Sequence, residues 1–242
     1  MTRWAMVIDL DKCVACQGCS IACRFENNIP AVKPNEAIKG RAIRWNDVFP
    51  LPVNPTEETG EYPNVQTRYM TRPCMHCENP PCVKVCPVQA TYTDDEGLVR
   101  QNYTRCIGCR FCTVACPYGV RYFNWYEPQW AENMSVYHNP DRIQGGGSEE
   151  GPIQRPVGVV EKCTFCIHRL LKARAKAEAE GRDFRPDEYV PACVQTCTAK
   201  ARFFGDLDDR NSTVSELASS PRAFRLQEDV GTHPKVIYLT EG

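Results

Sequence analysis

An α+β fold of two pseudo-symmetric units, interrupted by long inserted loops, is predicted by three features of this 242-residue sequence. Its 16 cysteines fall into groups of four with none left over. Strand-like stretches lead into three of the groups: "WAMVIDLDKC", "VQTRYMTRPC" and "GLVRQNYTRC". Three groups also end on one phrase, "CPVQATYT", "CPYGVRYF" and "CTAKARFF", in which a cysteine and a short turn give way to β-prone residues.

Group one is Cys13, Cys16, Cys19 and Cys23; group two is Cys74, Cys77, Cys82 and Cys86; group three is Cys106, Cys109, Cys112 and Cys116; group four is Cys163, Cys166, Cys193 and Cys197. Disulfides would suit a small secreted scaffold, and no apolar signal core or twin-arginine pair precedes Cys13. Structural zinc wants two C-x-x-C pairs, which leaves the longer run C-x-x-C-x-x-C-x-x-x-C unexplained. That run is instead the ligand pattern of two-cluster ferredoxins: three thiolates from one tight loop and a fourth that serves the neighbouring cluster. Groups one and three keep its spacing. Group two carries a longer spacer that includes Pro80 and Pro81, and group four is split between Cys166 and Cys193.

Swapped ligation makes the groups work in pairs. Groups two and three, joined by the short linker "ATYTDDEGLVRQN", form one ferredoxin-like unit over residues 65–127, the linker reading as a hairpin about Asp94 to Gly97. Groups one and four pair across the chain, as a discontinuous unit of residues 1–28 with 156–210. Four iron–sulfur clusters result, two to a unit: Cys74, Cys77, Cys82 with Cys116; Cys106, Cys109, Cys112 with Cys86; Cys13, Cys16, Cys19 with Cys197; and Cys163, Cys166, Cys193 with Cys23. A cluster saturated by four thiolates offers no open ligand position for substrate, so electron carriage without a catalytic site is expected.

The remaining elements follow from local chemistry. Pro87 and Pro117 stop the short helices that carry ligands. Gly18 and Gly108 stand where tight loop curvature calls for positive φ. Leu170 to Glu180 is rich in helix formers, is capped by Gly181, and reads as a charged surface helix bridging the gap in group four. The proline-rich stretch Asp47 to Asn64 and the glycine-rich Gln144 to Pro152 read as loops within insertions 29–64 and 128–155. In the extension 211–242, "KVIYLT" is a short strand. His76, between two ligands, reads as packed beside a cluster rather than bound to it. The aromatic run Arg121 to Trp130 reads as core or interface. Lys12, Arg24, Arg105, Arg110 and Lys162 flank ligands, where solvated surface charge is as good a reading as tuning of the clusters.

Composition excludes other classes. A net charge of −1 with interspersed signs gives no footprint for nucleic acid. Mean hydropathy is −0.46, and no apolar run reaches the roughly 18 residues of a membrane-span candidate.

"MVIDLDKCVACQGCSIAC", "CMHCENPPCVKVCP", "CIGCRFCTVACPYG", "EKCTFCIHRL" and "PACVQTC" with "ARFFGDLDD" resemble the four-cluster iron–sulfur subunit of complex iron–sulfur molybdoenzymes, in the dimethyl sulfoxide reductase superfamily. The resemblance covers most of the chain. It implies a relay between a molybdopterin catalytic subunit and a quinone-binding membrane subunit, as in polysulfide, thiosulfate, tetrathionate, arsenate and sulfite systems. It also implies a peripheral place on the membrane through those partners, at the cytoplasmic face or after export in folded form with a signal-bearing partner. Some members replace one cysteine and hold a three-iron cluster; all sixteen positions here are cysteine, so four [4Fe-4S] clusters are expected. Thr198, where proline is frequent in the family, and Arg24 after Cys23 depart from the pattern. The other reading is a self-standing polyferredoxin serving soluble enzymes.

Overall fold

The computed structural model describes residues 2–51, 67–127, 139 and 155–241. Along the chain run β1 (Trp4–Asp9), α1 (Gly18–Glu26), α2 (Pro34–Ile38), β2 (Asp47–Leu51), β3 (Arg68–Arg72), α3 (Pro81–Lys84), β4 (Thr91–Thr93), β5 (Val99–Gln101) and α4 (Phe111–Ala115). They are followed by β6 (Tyr122–Phe123), β7 (Val160–Glu161), α5 (Ile167–Ala179), α6 (Ala192–Gln195), β8 (Arg202–Asp206), α7 (Thr213–Ala218), β9 (Ala223–Phe224) and β10 (Val236–Leu239). Short helices are mixed with small, mostly antiparallel sheets, consistent with an α+β chain.

The central sheet has the order β8-β1-β10-β9. β1 is antiparallel to β8, with Met6 opposite Phe204, and parallel to β10, with Met6 opposite Val236. Every residue of β1 and β10 is buried, because the sheet is covered on both faces and so needs no polar alternation. The period of two still sorts the side chains. Trp4, Met6, Ile8, Val236 and Tyr238 enter the main core, while Ala5, Val7, Ile237 and Leu239 pack with Val214 of α7 on the other face. Ser212 caps α7 by accepting the Ser215 N–H at 3.1 Å.

Three antiparallel pairs complete the strands: β2 with β3, β4 with β5, and β6 with β7. The expected hairpin about Asp94 to Gly97 is present. Asp94 Oδ1 accepts the N–H groups of Glu96 and Leu98 at 3.1 and 2.8 Å, and Gly97 supplies φ +73°. α5 begins three residues before Leu170 and buries Ile167, His168, Leu170 and Ala177, so one face of the expected surface helix is core.

Three expectations change. Asp47–Leu51 is a strand rather than loop, and Ile43 and Trp45 before it are 7% and 1% exposed, so part of the insertion 29–64 belongs to the core. The tail read as an extension contributes β10 and β9 to the central sheet. Gly18 has no positive φ: the left-handed turn falls on its neighbour Gln17 (φ 59°), and Gly18 starts the helix. Gly108 does take φ +68°. The loop stretches 52–64 and 144–152, and residues 128–130 of the aromatic run, lie outside the described residues.

Candidate metal centres

Each cysteine group occupies one structural pattern. A strand ends, a loop carries two cysteines, and a helix carries the next: β1 leads to Cys13 and Cys16 and then α1 with Cys19; β3 to Cys74 and Cys77 and then α3 with Cys82; β5 to Cys106 and Cys109 and then α4 with Cys112. In group four β7 leads to Cys163 and Cys166, but α5 follows, and Cys193 waits on α6. The loops curl through left-handed residues: Ala15, Gln17, His76, Gly108, Arg110, Phe165 and Cys166 all have positive φ. Such turns point successive backbone N–H groups inward. Phe165 N–H donates to Cys163 Sγ at 3.4 Å, Thr91 N–H to Cys86 Sγ at 3.4 Å and Ala201 N–H to Cys197 Sγ at 3.3 Å. The phrase repeated after Cys86 and Cys197 is thus a turn that returns a backbone donor to the sulfur.

Cys13, Cys16, Cys19 and Cys197 line one cavity, and Cys74, Cys77, Cys82 and Cys116 line another. Cys23 and Cys166 are bridged by the Asn27 carboxamide, whose Nδ2 lies 3.7 and 3.8 Å from their sulfurs, and Cys163, Cys166 and Cys193 are electrostatic neighbours. Cys106 and Cys112 are neighbours in the same sense, and Cys109 lines an open cleft with Pro87, the residue after Cys86. Among the described residues no three metal-binding side chains converge as around a single ion. A cluster of four irons instead needs thiols spaced around a cavity.

The donor set fits that cofactor. All sixteen thiols are free. Burial, reinforced by neighbouring cysteines, pushes Cys77 and Cys166 up to about 12 and raises Cys163 and Cys193. Such buried thiols would ionise and serve as ligands only with positive metal charge in their midst. At the surface Cys16 is the opposite case: the Gly18 N–H, followed by the Thr198 hydroxyl, lowers its thiol below the usual value.

His76 is wholly buried, and both its nitrogens are engaged. Nδ1 accepts the Val99 N–H at 3.2 Å, which leaves Nε2 to donate to the Cys163 carbonyl at 3.1 Å, and the ring stacks on Phe165. Burial, then Lys162 and Lys235, keeps it neutral. Of the flanking cations, Lys162 is not surface charge: it is 0% exposed and donates to the Cys163 carbonyl at 2.8 Å. Arg24 donates to the Pro30 and Ile43 carbonyls, and Lys12 pairs with Asp9 at 3.7 Å. Arg105 is exposed, while Arg110 lies over Phe123 and Trp125 of the aromatic run.

Four residues that motif reading overlooks touch the sites: Asn27, Asn46, Arg121 and Arg202. Asn46 Nδ2 donates to Cys19 Sγ at 3.2 Å. Arg121 and Arg202 do have a sequence signal, since each stands in the repeated phrase as the fifth residue after its cysteine, Cys116 or Cys197.

Two family models match the chain, each described as a 4Fe-4S dicluster domain: one over residues 65–142, spanning groups two and three, the other over 105–201, spanning groups three and four. The iron–sulfur cluster-binding subunit of menaquinone reductase from Nitratidesulfovibrio vulgaris is 45% identical in an alignment of 242 positions that covers 98% of this chain and 89% of that protein. A selenate reductase subunit from Mesobacillus selenatarsenatis is 41% identical, with 98% and 72% covered. The arsenate respiratory reductase iron–sulfur subunit from Shewanella sp. strain ANA-3 is 38% identical, with 98% and 96% covered.

Proposed function

Because the chain belongs to the iron–sulfur subunits of complex iron–sulfur molybdoenzymes and related quinone-linked reductases, we propose that it relays electrons between a molybdopterin catalytic subunit and a quinone-linked membrane subunit. It carries 4Fe-4S dicluster domains, and its sixteen cysteines provide for four [4Fe-4S] clusters. When bound, such a cluster takes up and releases single electrons. The self-standing polyferredoxin is not favoured, since the relatives are subunits of reductase complexes.

One observation carries the relay. Cys112 is an electrostatic neighbour of Cys82, Cys74 of Cys163, and Cys193 of Cys19, which threads the groups in the order three, two, four, one. Along that line exposure falls and rises again: Cys109 is exposed, Cys82, Cys77, Cys74, Cys163, Cys166 and Cys193 are buried, and Cys16 is exposed. Shielded intermediates with accessible ends are what a conduit between two partners needs. The two cavities support the swapped assignment of Cys197 and Cys116, the Asn27 bridge supports that of Cys23, and Cys86 follows by the same pattern. Two pseudo-symmetric units of two clusters each account for the arrangement.

The chain does no substrate chemistry in this reading, and oxyanion or sulfur substrate is met by the catalytic partner. No helix among the described residues is long and apolar enough to cross a membrane, so membrane contact is assigned to the partner. Anaerobically purified protein is expected to hold about 16 iron and 16 sulfide per chain. In a reconstituted complex, electron flow from quinol to the molybdopterin subunit should require this chain. Substrate turnover by the isolated chain, or undiminished flow without it, would refute the relay.

A further inference from the structure

We propose that Arg121 and Arg202 are matched cationic bridges, one inside each pair of cluster sites, and that each raises the reduction potential of both clusters in its pair. The inference rests on the four-cluster reading but concerns residues that reading does not use. The two arginines occupy the same place in the repeated phrase, and each precedes an aromatic pair, Tyr122-Phe123 or Phe203-Phe204. Their anchoring is also the same. Arg121 Nη2 donates to the Thr91 hydroxyl at 2.7 Å and the Gln101 carboxamide oxygen at 2.6 Å; Arg202 Nη2 donates to the Thr71 hydroxyl at 2.5 Å and the Asn46 carboxamide oxygen at 2.6 Å. One threonine and one carboxamide hold each guanidinium in a fixed position.

Neither anchor carries charge. Arg121 and Arg202 are 6% and 4% exposed, and none of their hydrogen-bond partners among the described residues is a carboxylate. Two nitrogens of Arg121, Nε and Nη1, find no hydrogen-bond acceptor among those residues. Guanidinium stays protonated in proteins, and a buried cation without a counter-charge is strongly destabilising. The negative charge must come from the sulfur side. Arg121 faces Cys82, Cys112, Cys74 and Cys116, and Arg202 faces Cys193 and Cys19 together with Tyr238. Cys82 and Cys112 belong to groups two and three, Cys193 and Cys19 to groups four and one. Each cation therefore lies between the two sites of one pair. There it favours the more negative, reduced state of either cluster and offsets the repulsion between electrons placed on both.

The test is a potentiometric titration of the whole iron-loaded protein, followed by electron paramagnetic resonance, with Cys86→Ser and Cys197→Ser used to assign signals to each pair. Arg121→Gln should lower the potentials of the two clusters on groups two and three, each by at least a factor of ten in its reduction equilibrium, or about 59 mV for one electron. Arg202→Gln should do the same for the other two. Arg121→Lys and Arg202→Lys, which keep the charge, should restore most of the shift. Full iron content with unchanged potentials in the glutamine variants would overturn the proposal, and so would a shift confined to one cluster of a pair. Should a glutamine variant fail to load iron, the lysine variant decides: iron and potentials retained support the bridge, and iron lost in both makes the arginine a scaffold residue and overturns it. Wild-type protein without iron would refute the cluster reading instead.

Discussion

Around groups two and three, much of the support is local in sequence: the β4–β5 hairpin, α3 against α4, and a small cluster of Cys82, Val99 and Cys112 that Val160 of β7 joins from farther along the chain. Around groups one and four, the same kind of site is assembled from the two ends of the described chain. α1 meets α6, β1 pairs with β8, and the fully buried β10 lies against β1. The first region pays little loop-closure entropy and has little core; the second must close a long loop, whose cost grows only as the logarithm of length, and has most of the core. Equivalent sites can thus rest on different supports, local turns in one case and a sheet in the other.

The strongest way to break that contrast is to delete residues 236–242. Each β10 side chain is 0 or 1% exposed. Burying four such side chains contributes up to about 1.5–3 kcal/mol apiece, comparable to the roughly 5–15 kcal/mol stability of a whole domain. The deletion should disrupt the central sheet by circular dichroism and deplete the clusters of groups one and four first. Retention of all four clusters would show that the sheet does not support the distant pair.

Ligand swaps test the contrast one cluster at a time. Cys86→Ser should perturb the cluster on Cys106, Cys109 and Cys112, and Cys197→Ser the one on Cys13, Cys16 and Cys19, each lowering iron by about a quarter. Loss of the cluster belonging to the mutated cysteine's own group would refute the swap.

Two glycines sharpen it further. At Gly108 (φ +68°) an added Cβ would meet the Gly158 carbonyl oxygen at 2.1 Å, so Gly108→Ala should destabilise the group-three site by about 1–3 kcal/mol. At Gly18 the nearest atom is Cys16 Sγ at 3.6 Å and the backbone is helical, so Gly18→Ala should be neutral or stabilise by up to about 1 kcal/mol. Denaturant midpoints of the two variants distinguish these outcomes.

The smallest effect is in acid. Glu26 joins α1 to α5 through His168 at 2.7 Å and Arg169 at 2.5 and 2.7 Å. Burial raises its pKa, but the bonds from His168 and Arg169 outweigh burial and bring it down to about 2. A depressed carboxylate stabilises fully above its unfolded value of about 4.3 and loses that contribution as pH falls toward 2. Denaturation midpoints measured from pH 5 to 3 should fall more steeply in wild type than in Glu26→Gln.

Much of this was legible in the sequence because cluster loops are local: cysteine spacing, the Asp94–Gly97 turn and the strands before groups one, two and three all reside in short windows. The placement of "KVIYLT" was not, since a parallel partner far along the chain leaves no local mark. β2 was hidden by Pro50, which lacks an N–H and is tolerated because, among the described residues, β2 pairs with β3 alone and forms an edge. Lys162 stayed open between surface charge and cluster tuning because nothing local shows that its ammonium turns inward to the Cys163 carbonyl. The arginines were visible in the repeated phrase, but their meaning depends on Thr91, Gln101, Asn46 and Thr71, which come from other segments.

The insertion of β10 between β1 and β9 also sets a timetable for biosynthesis. A ribosome delivers β1 and the first cysteines early and β10 only after the whole intervening chain, while the hairpin and helices around groups two and three emerge complete in the middle. Nascent protein therefore has the central hairpin and helices in place while Cys13, Cys16 and Cys19 still lack both Cys197 and the sheet. Until β10 is delivered, those early thiols lack the sheet that shields them from oxidation or from the wrong metal. Delivery of β10 is the step that commits the first cysteines to their place.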